Sequence, residues 1–211
     1  MKFAILAFLL TLIVTPSFAT NTEKQKAMND NPALTKTAIF AGGCFWCMQS
    51  ELDAMKGVIK TVVGYTGGTI ANPTYEQVST GTTGHKEAIE VTYDPAQVTY
   101  VQLLDIFWSN VDPLDAGGQF CDRGSQYLAA IFTADDTERQ LAEESKAKVQ
   151  KRLGQPVATL IEPAKPFYAA EGYHQGYYKT NPLRYKMYAT ACGRKDRLGD
   201  VWGSTATPPT K

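Results

Sequence analysis

The sequence has no excess of either charge: 21 Lys and Arg balance 21 Asp and Glu in 211 residues. A nucleic-acid binder needs a basic footprint to neutralise phosphates, so that class is excluded. No apolar run reaches the roughly 20 residues needed to span a bilayer comfortably, which excludes a multi-span membrane protein. No internal repeat or central low-complexity block appears, and collagen-like or disordered classes drop out with them. Cysteine is scarce. Four are too few for a cysteine-rich scaffold, so each needs its own explanation. What remains, 44% hydrophobic and 20% charged, is one globular domain long enough to bury a core without staples.

The front of the chain differs from the rest. Lys2 supplies a positive start, residues 3–14 are almost unbroken apolar, and Ser17-Phe18-Ala19 offers small residues at the −3 and −1 positions of a cleavage site. Residues 1–19 therefore read as a signal peptide, with an uncleaved anchor as the alternative. Its removal takes Lys2 and no acid. The mature protein is expected to be exported, to a bacterial periplasm where disulfides persist, with no stable membrane association afterwards. Residues 20–36 are polar and aperiodic and read as a flexible linker, and 204–211 as a disordered tail. The domain itself is expected over 37–203.

Within it the pattern alternates. A strand at 37–41 runs into Gly42-Gly43. Phe45, Met48, Leu52 and Met55 then mark one face of a helix over 44–56 that stops at Gly57. Strands follow at 61–65 and 86–93, separated by a Pro/Thr/Gly-rich loop over 66–84. A helix over 99–110 comes next, then a strand over 126–132, apolar on both faces and hence placed inside the sheet. Thr133 to Asp136 resembles a capping box for a helix ending at Leu153, and 157–161 is a last strand. The order βαββαβ is that of a ferredoxin-like α/β two-layer sandwich, here with an extra helix, an extra strand and a loop-rich C-terminal region.

Gly42-Gly43-Cys44-Phe45-Trp46-Cys47 places Cys44 at a strand-to-helix junction. Free N–H groups and the helix dipole there favour a thiolate, so a lowered Cys44 pKa is expected. A Cys44–Cys47 structural staple is the plain alternative. Zinc would want a second closely spaced pair. Glu87 opens the strand over 86–93 and shares a face with Ile89, Val91 and Tyr93. If it is buried there, its carboxyl keeps a proton near neutrality, as a general acid must. If the strand end frays, Glu87 points to water instead.

GCFWC, GYTGG, NPTYEQV, GTTGHKEAIEVTYDP, LLDIFW, DRGSQY and EGYHQGYY occur in that order. Together they resemble the A-type peptide methionine sulfoxide reductases, from about Thr37 to about Tyr188. The resemblance implies that Cys44 attacks the sulfoxide sulfur and that Glu87 donates the proton that lets the oxygen leave. It implies that Phe45 and Trp46 form the pocket for the substrate's methyl group. Tyr75, Asp122 and Tyr127 would bond the oxygen or support that network. Specificity for the S epimer is likewise an implication of the family. The expected substrates are methionine sulfoxide and oxidised exported proteins, with a thioredoxin-like reductant and no metal or organic cofactor.

Sulfoxide oxygen leaves badly unless protonated, which pairs a thiolate with a high-pKa acid. The product on Cys44 is a sulfenic acid that condenses with a nearby thiol. Many relatives lack the cysteine that stands here at position 47. Three residues on in the helix, Cys47 is the first candidate to resolve that acid. Cys192 matches in general position the mobile recycling cysteine of other members, so it either follows Cys47 in a relay or resolves the acid alone, and Cys121 is expected to be a spectator beside Asp122. His174 and the tyrosines 168, 173, 177, 178, 185 and 188 are expected to pack and bond rather than react. A general thiol–disulfide oxidoreductase is the competing function, and it leaves GHKE and NPTY without a role.

Overall fold

The computed structural model describes residues 34–203. The segments expected to be a signal peptide and a tail, and nearly all of the expected linker, lie outside the described residues.

The chain runs through β1 (Lys36–Ala41), α1 (Phe45–Leu52), β2 (Val58–Thr66), α2 (Tyr75–Ser79), β3 (Lys86–Tyr93) and α3 (Tyr100–Ser109). A ribbon of β4 (Gly118–Gln119) and β5 (Asp122–Arg123) follows, then a 3₁₀ turn over Ser125–Tyr127 and β6 (Ala130–Thr133). The rest is α4 (Asp136–Leu153), β7 (Leu160–Pro163), β8 (Tyr168–Ala169), a 3₁₀ turn over Gly172–His174, α5 (Tyr177–Thr180), α6 (Pro182–Ala191) and α7 (Arg194–Trp202). No helix among the described residues is long and apolar enough to cross a membrane.

Among the described residues, six strands form one mixed sheet in the order β7-β6-β1-β3-β2-β8. The central four are antiparallel neighbours in the arrangement a βαββαβ chain makes, so the α/β sandwich expected from the sequence is the fold. β7 joins parallel to β6 through the α4 crossover, and β8 covers the opposite edge.

Period-two alternation sorts the side chains. Ala38, Phe40, Val63, Tyr65, Ile89, Val91, Tyr93 and Ile131 are buried in one cluster with Phe45, Met48 and Leu52 of α1 and Leu103, Leu104 and Phe107 of α3. Each Val, Leu, Ile, Phe or Met among them contributes about 2 kcal/mol when fully buried. The other face carries smaller groups, Ala41, Ala88 and Ala130, beside Phe132.

Several local expectations need correction. α1 ends at Leu52, not Lys56, and its C-cap Asp53 is drawn to Thr61 and Tyr178 at 2.6 and 2.7 Å. The 66–84 loop contains α2, opened by a Thr74–Gln77 capping box. Strand β6 starts only at Ala130, because Ser125–Tyr127 turns. It does lie inside the sheet. The N-cap of α4 is Asp135, which accepts from Glu138 N at 2.8 Å, so Thr133 remains in β6. The last sequence-read strand is β7, displaced to 160–163, and β8 follows it. The region expected to be loop-rich holds three short helices, α5 to α7.

Candidate active site

The register of the sheet builds the site. β1 and β3 run antiparallel, and their last pair at this end is Phe40 with Ile89. The chain therefore leaves β1 beside the start of β3, where Glu87 sits. Gly43 makes the turn with φ +76°, and a Cβ there would come within 2.5 Å of Gln119 Cβ. Gln119 is itself buried and bonded to both Asp112 N and Asp112 O at 2.8 Å. Cys44 follows as the N-cap of α1, and its carbonyl accepts from Cys47 N at 3.1 Å.

The first N–H of α1 has no partner within the helix. Phe45 N donates to Glu87 Oε2 at 3.1 Å. This bond fixes the acid beside the nucleophile. Glu87 is 4% and Cys44 6% exposed. Both line a cleft of about 60 Å³ with Phe45, Trp46, Tyr75, Asp122, Tyr127 and Tyr188. Every residue named from the sequence as nucleophile, acid, pocket wall or oxygen ligand is in that one cleft.

The electrostatics agree with one expectation and overturn another. Burial pushes the Glu87 carboxyl up to about 8, so it is protonated at neutrality. Cys44 was expected to be a low-pKa thiol, yet burial, reinforced by Cys47 and Glu87, holds it well above the ordinary range. The physical reason is a difference in size. A helix end favours an anion by about 0.3–1 kcal/mol, less than burying a charge costs. The N–H that might have helped is committed to Glu87. Cys47 is lowered instead, first by its hydrogen bond with Cys44 and further by Arg194 and Tyr185.

Aromatic groups set the walls. Trp46 stacks on Tyr177 at 3.9 Å between ring centroids and donates from Nε1 to His174 Nδ1 at 3.2 Å. An accepting Nδ1 puts the proton of neutral His174 on Nε2, 3.9 Å from Glu171 Oε2. Burial lowers the His174 pKa, which keeps that neutral form. Glu171 accepts from Tyr75 N and from Tyr65 Oη, both at 2.8 Å, and so ties α2 to β2. His174 packs and bonds as expected. The role of Glu171 has no local signal, since its partners lie 96 and 106 residues away.

The sequence reading misplaced Tyr188. Grouped there with structural tyrosines, it lies in the cleft, where its hydroxyl donates to Asp122 Oδ2 and also meets Cys44. The four cysteines fall into two pairs. Cys44 and Cys47 are buried thiols, whereas Cys121 and Cys192 form a disulfide with Cα atoms 4.8 Å apart. Cys121 thus has a covalent partner where the sequence suggested a spectator. Among the described residues, Cys121, Asp122 and Cys192 are the group of potential metal ligands that stands close together, and the disulfide occupies two of them.

Comparison with known proteins gives a consistent result. The family described as peptide methionine sulfoxide reductase matches residues 36–206. The chain is 50% identical over 169 residues to the peptide methionine sulfoxide reductase MsrA of Bacillus subtilis, covering 79% of this chain and 96% of that one. It is similar to reduced Mxr1 from Saccharomyces cerevisiae at TM-score 0.69 and 32% identity, covering 72% of this chain and 89% of that one. It is also similar to Mxr1 in complex with Trx2, at TM-score 0.50 and 25% identity, over 70% of this chain and 87% of that one.

Proposed function

The chain belongs to the peptide methionine sulfoxide reductases and is a peptide-methionine (S)-S-oxide reductase, and from this we propose that Cys44 is its nucleophile and Glu87 its acid. The observation that carries the assignment is the Phe45 N–Glu87 bond, which holds a protonated carboxyl in the same cleft as the Cys44 sulfur. Glu87 gives its proton to the sulfoxide oxygen as Cys44 gives up electrons to the sulfur. The S–O bond breaks, methionine leaves, and Cys44 carries the oxygen as a sulfenic acid. Phe45 and Trp46 hold the methyl group, while Tyr75, Tyr127 and Asp122 orient the oxygen.

Cys47 then attacks the Cys44 sulfur and releases water, forming a Cys44–Cys47 disulfide. Its lowered pKa supports that role. Cys192 acts second, as the recycling thiol. Its partnership with Cys121 supports this order, because exchange would move the oxidation from a buried pair to a disulfide with an exposed end. A thioredoxin-like dithiol is the external reductant, in line with the complex of the related Mxr1 with Trx2. Residues 1–19 act as a signal peptide and 20–36 as a linker, so that the 37–203 domain repairs oxidised proteins in the periplasm. Sequencing the N-terminus of the exported protein should find Thr20 first, and an intact Met1 would refute cleavage.

The activity assay is turnover of the separated S and R epimers of N-acetyl-methionine sulfoxide with dithiothreitol. The S epimer alone should be reduced, and Cys44→Ser should abolish it. Turnover by Cys44→Ser would remove Cys44 as the nucleophile. With a thioredoxin-like reductant, Cys47→Ser should fail to form the first disulfide and Cys192→Ser should stall after it.

A further inference from the structure

A buried Cys44 thiol poses a problem that the proposed roles leave open. It has to lose its proton on attacking sulfur, and Glu87 cannot take it, being protonated already and committed to the oxygen. Two side chains stand beside the thiol: Cys47, three residues on in α1, and Tyr188, which lines the same small cleft. Cys47 can accept only as a thiolate, and with a pKa lowered to about 7 much of it already carries a proton at neutrality. The Tyr188 hydroxyl is different, for its own proton is already directed at Asp122 Oδ2.

We propose that Tyr188 is a further catalytic residue, whose hydroxyl takes the Cys44 thiol proton during attack and passes its own to the Asp122 carboxylate. The idea rests on Cys44 being the nucleophile. The balance is complete. One proton goes from Cys44 through Tyr188 to Asp122, and one goes from Glu87 to the oxygen. The methionine sulfur gains the two electrons that the Cys44 sulfur loses. Afterwards Asp122 sheds its proton to solvent and Glu87 takes one up, so no net proton is consumed.

The surroundings suit each station of this path. Tyr188 lies on α6 and contacts Trp46 edge-on, with ring centroids 5.8 Å apart, so its ring is positioned independently of its hydroxyl. One helical turn on, Cys192 stands beside Cys121, the neighbour of Asp122, with Cα atoms 4.8 Å apart, so the chain brings α6 and β5 together at the Tyr188–Asp122 pair. Asp122 is half-buried, and burial raises its pKa, which makes it a better proton acceptor than an exposed carboxylate while leaving it a route to water. The other groups facing Cys44 are Cys47 of α1, Glu87 of β3, Tyr75 of α2 and Tyr127, with Arg194 of α7 acting on Cys47 and Asp122.

The test is single-turnover methionine release from the S-sulfoxide across pH 5.5–9.5, using the full chain with Cys44 and Cys47 reduced. Tyr188→Phe keeps the ring and should slow release about 100-fold at pH 7, the lower range for a lost proton-transfer group, with KM within about twofold. The wild-type-to-variant ratio should shrink as pH rises, because hydroxide then strips the thiol and the Glu87 limb cancels from the ratio. Asp122→Asn, which removes the terminal acceptor, should show the same shrinking ratio. A ratio constant with pH would reduce Tyr188 to a structural role and overturn the proposal. Full activity of Tyr188→Phe would do so too, and would assign the proton to Cys47. Either result, with Cys44→Ser inactive, leaves the nucleophile assignment standing. Turnover by Cys44→Ser would instead remove the premise.

Discussion

Replacing Glu87 by glutamine should make the protein more stable and nearly inactive, and both effects can be worked out from one environment. Burial raises this carboxyl from 4.5 to about 8. Between those values the unfolded chain has released the proton and the folded one has kept it, so stability falls as pH rises, by about 1.36 kcal/mol per pH unit. The cost is small at pH 5 and reaches roughly 4 kcal/mol at pH 7.5, after which it levels off above pH 8. Glutamine does not ionise, so its stability lacks this slope. The stability gap between Glu87→Gln and wild type should therefore widen by about 3 kcal/mol between pH 5 and 7.5. Urea unfolding at the two pH values measures it, and comparing the change in the gap cancels any difference in the bond to Phe45 N. Activity should drop about 10²- to 10⁴-fold, because the amide holds the position but transfers no proton. Wild-type activity should also decline above about pH 8 as Glu87 ionises. Parallel stability curves for the two proteins would show that the carboxyl is not held neutral, and the acid role would fall with it.

Trp46→Ala removes a wall that stacks on Tyr177 and bonds His174, and should raise KM about tenfold or more with a smaller effect on kcat, read from steady-state turnover. Thr99 caps α3 by accepting from Gln102 N at 3.2 Å. Thr99→Ala should cost about 1 kcal/mol in urea unfolding with turnover intact, since α3 lies outside the cleft. Cys121→Ser opens a link spanning 71 residues and should lower stability by roughly 4 kcal/mol in the chain-entropy view. Unfolding midpoints unchanged by dithiothreitol in the wild type would contradict that.

What could be read along the chain was what depends on near neighbours. Alternation over 86–93 put Glu87 on the apolar face, and it is there, with Ile89, Val91 and Tyr93. The βαββαβ order followed from hydrophobic periodicity, and the cleft residues from motifs that keep their spacing. Boundaries were less legible, because side-chain bonds decide them: Asp53 ends α1 through Thr61 and Tyr178, which no local pattern announces. The Cys44 pKa was misjudged for a similar reason. The helix end is visible in the sequence, whereas the burial that outweighs it is a sum over β3, α2, β5 and α6. Tyr188 reaches Asp122 across 66 residues and Cys121 reaches Cys192 across 71, pairings that exist only in three dimensions.

The cleft is small, about 60 Å³, and both reactive groups in its lining are nearly fully buried. It admits the tip of one side chain, so the client has to bring its methionine out to the enzyme. A sulfoxide sealed inside a tightly folded client is invisible to it. Oxidation, however, turns an apolar side chain polar and loosens the core around it. Repair is thus triaged by injury: lesions that unpack their host present themselves, and those the host tolerates in place are passed over.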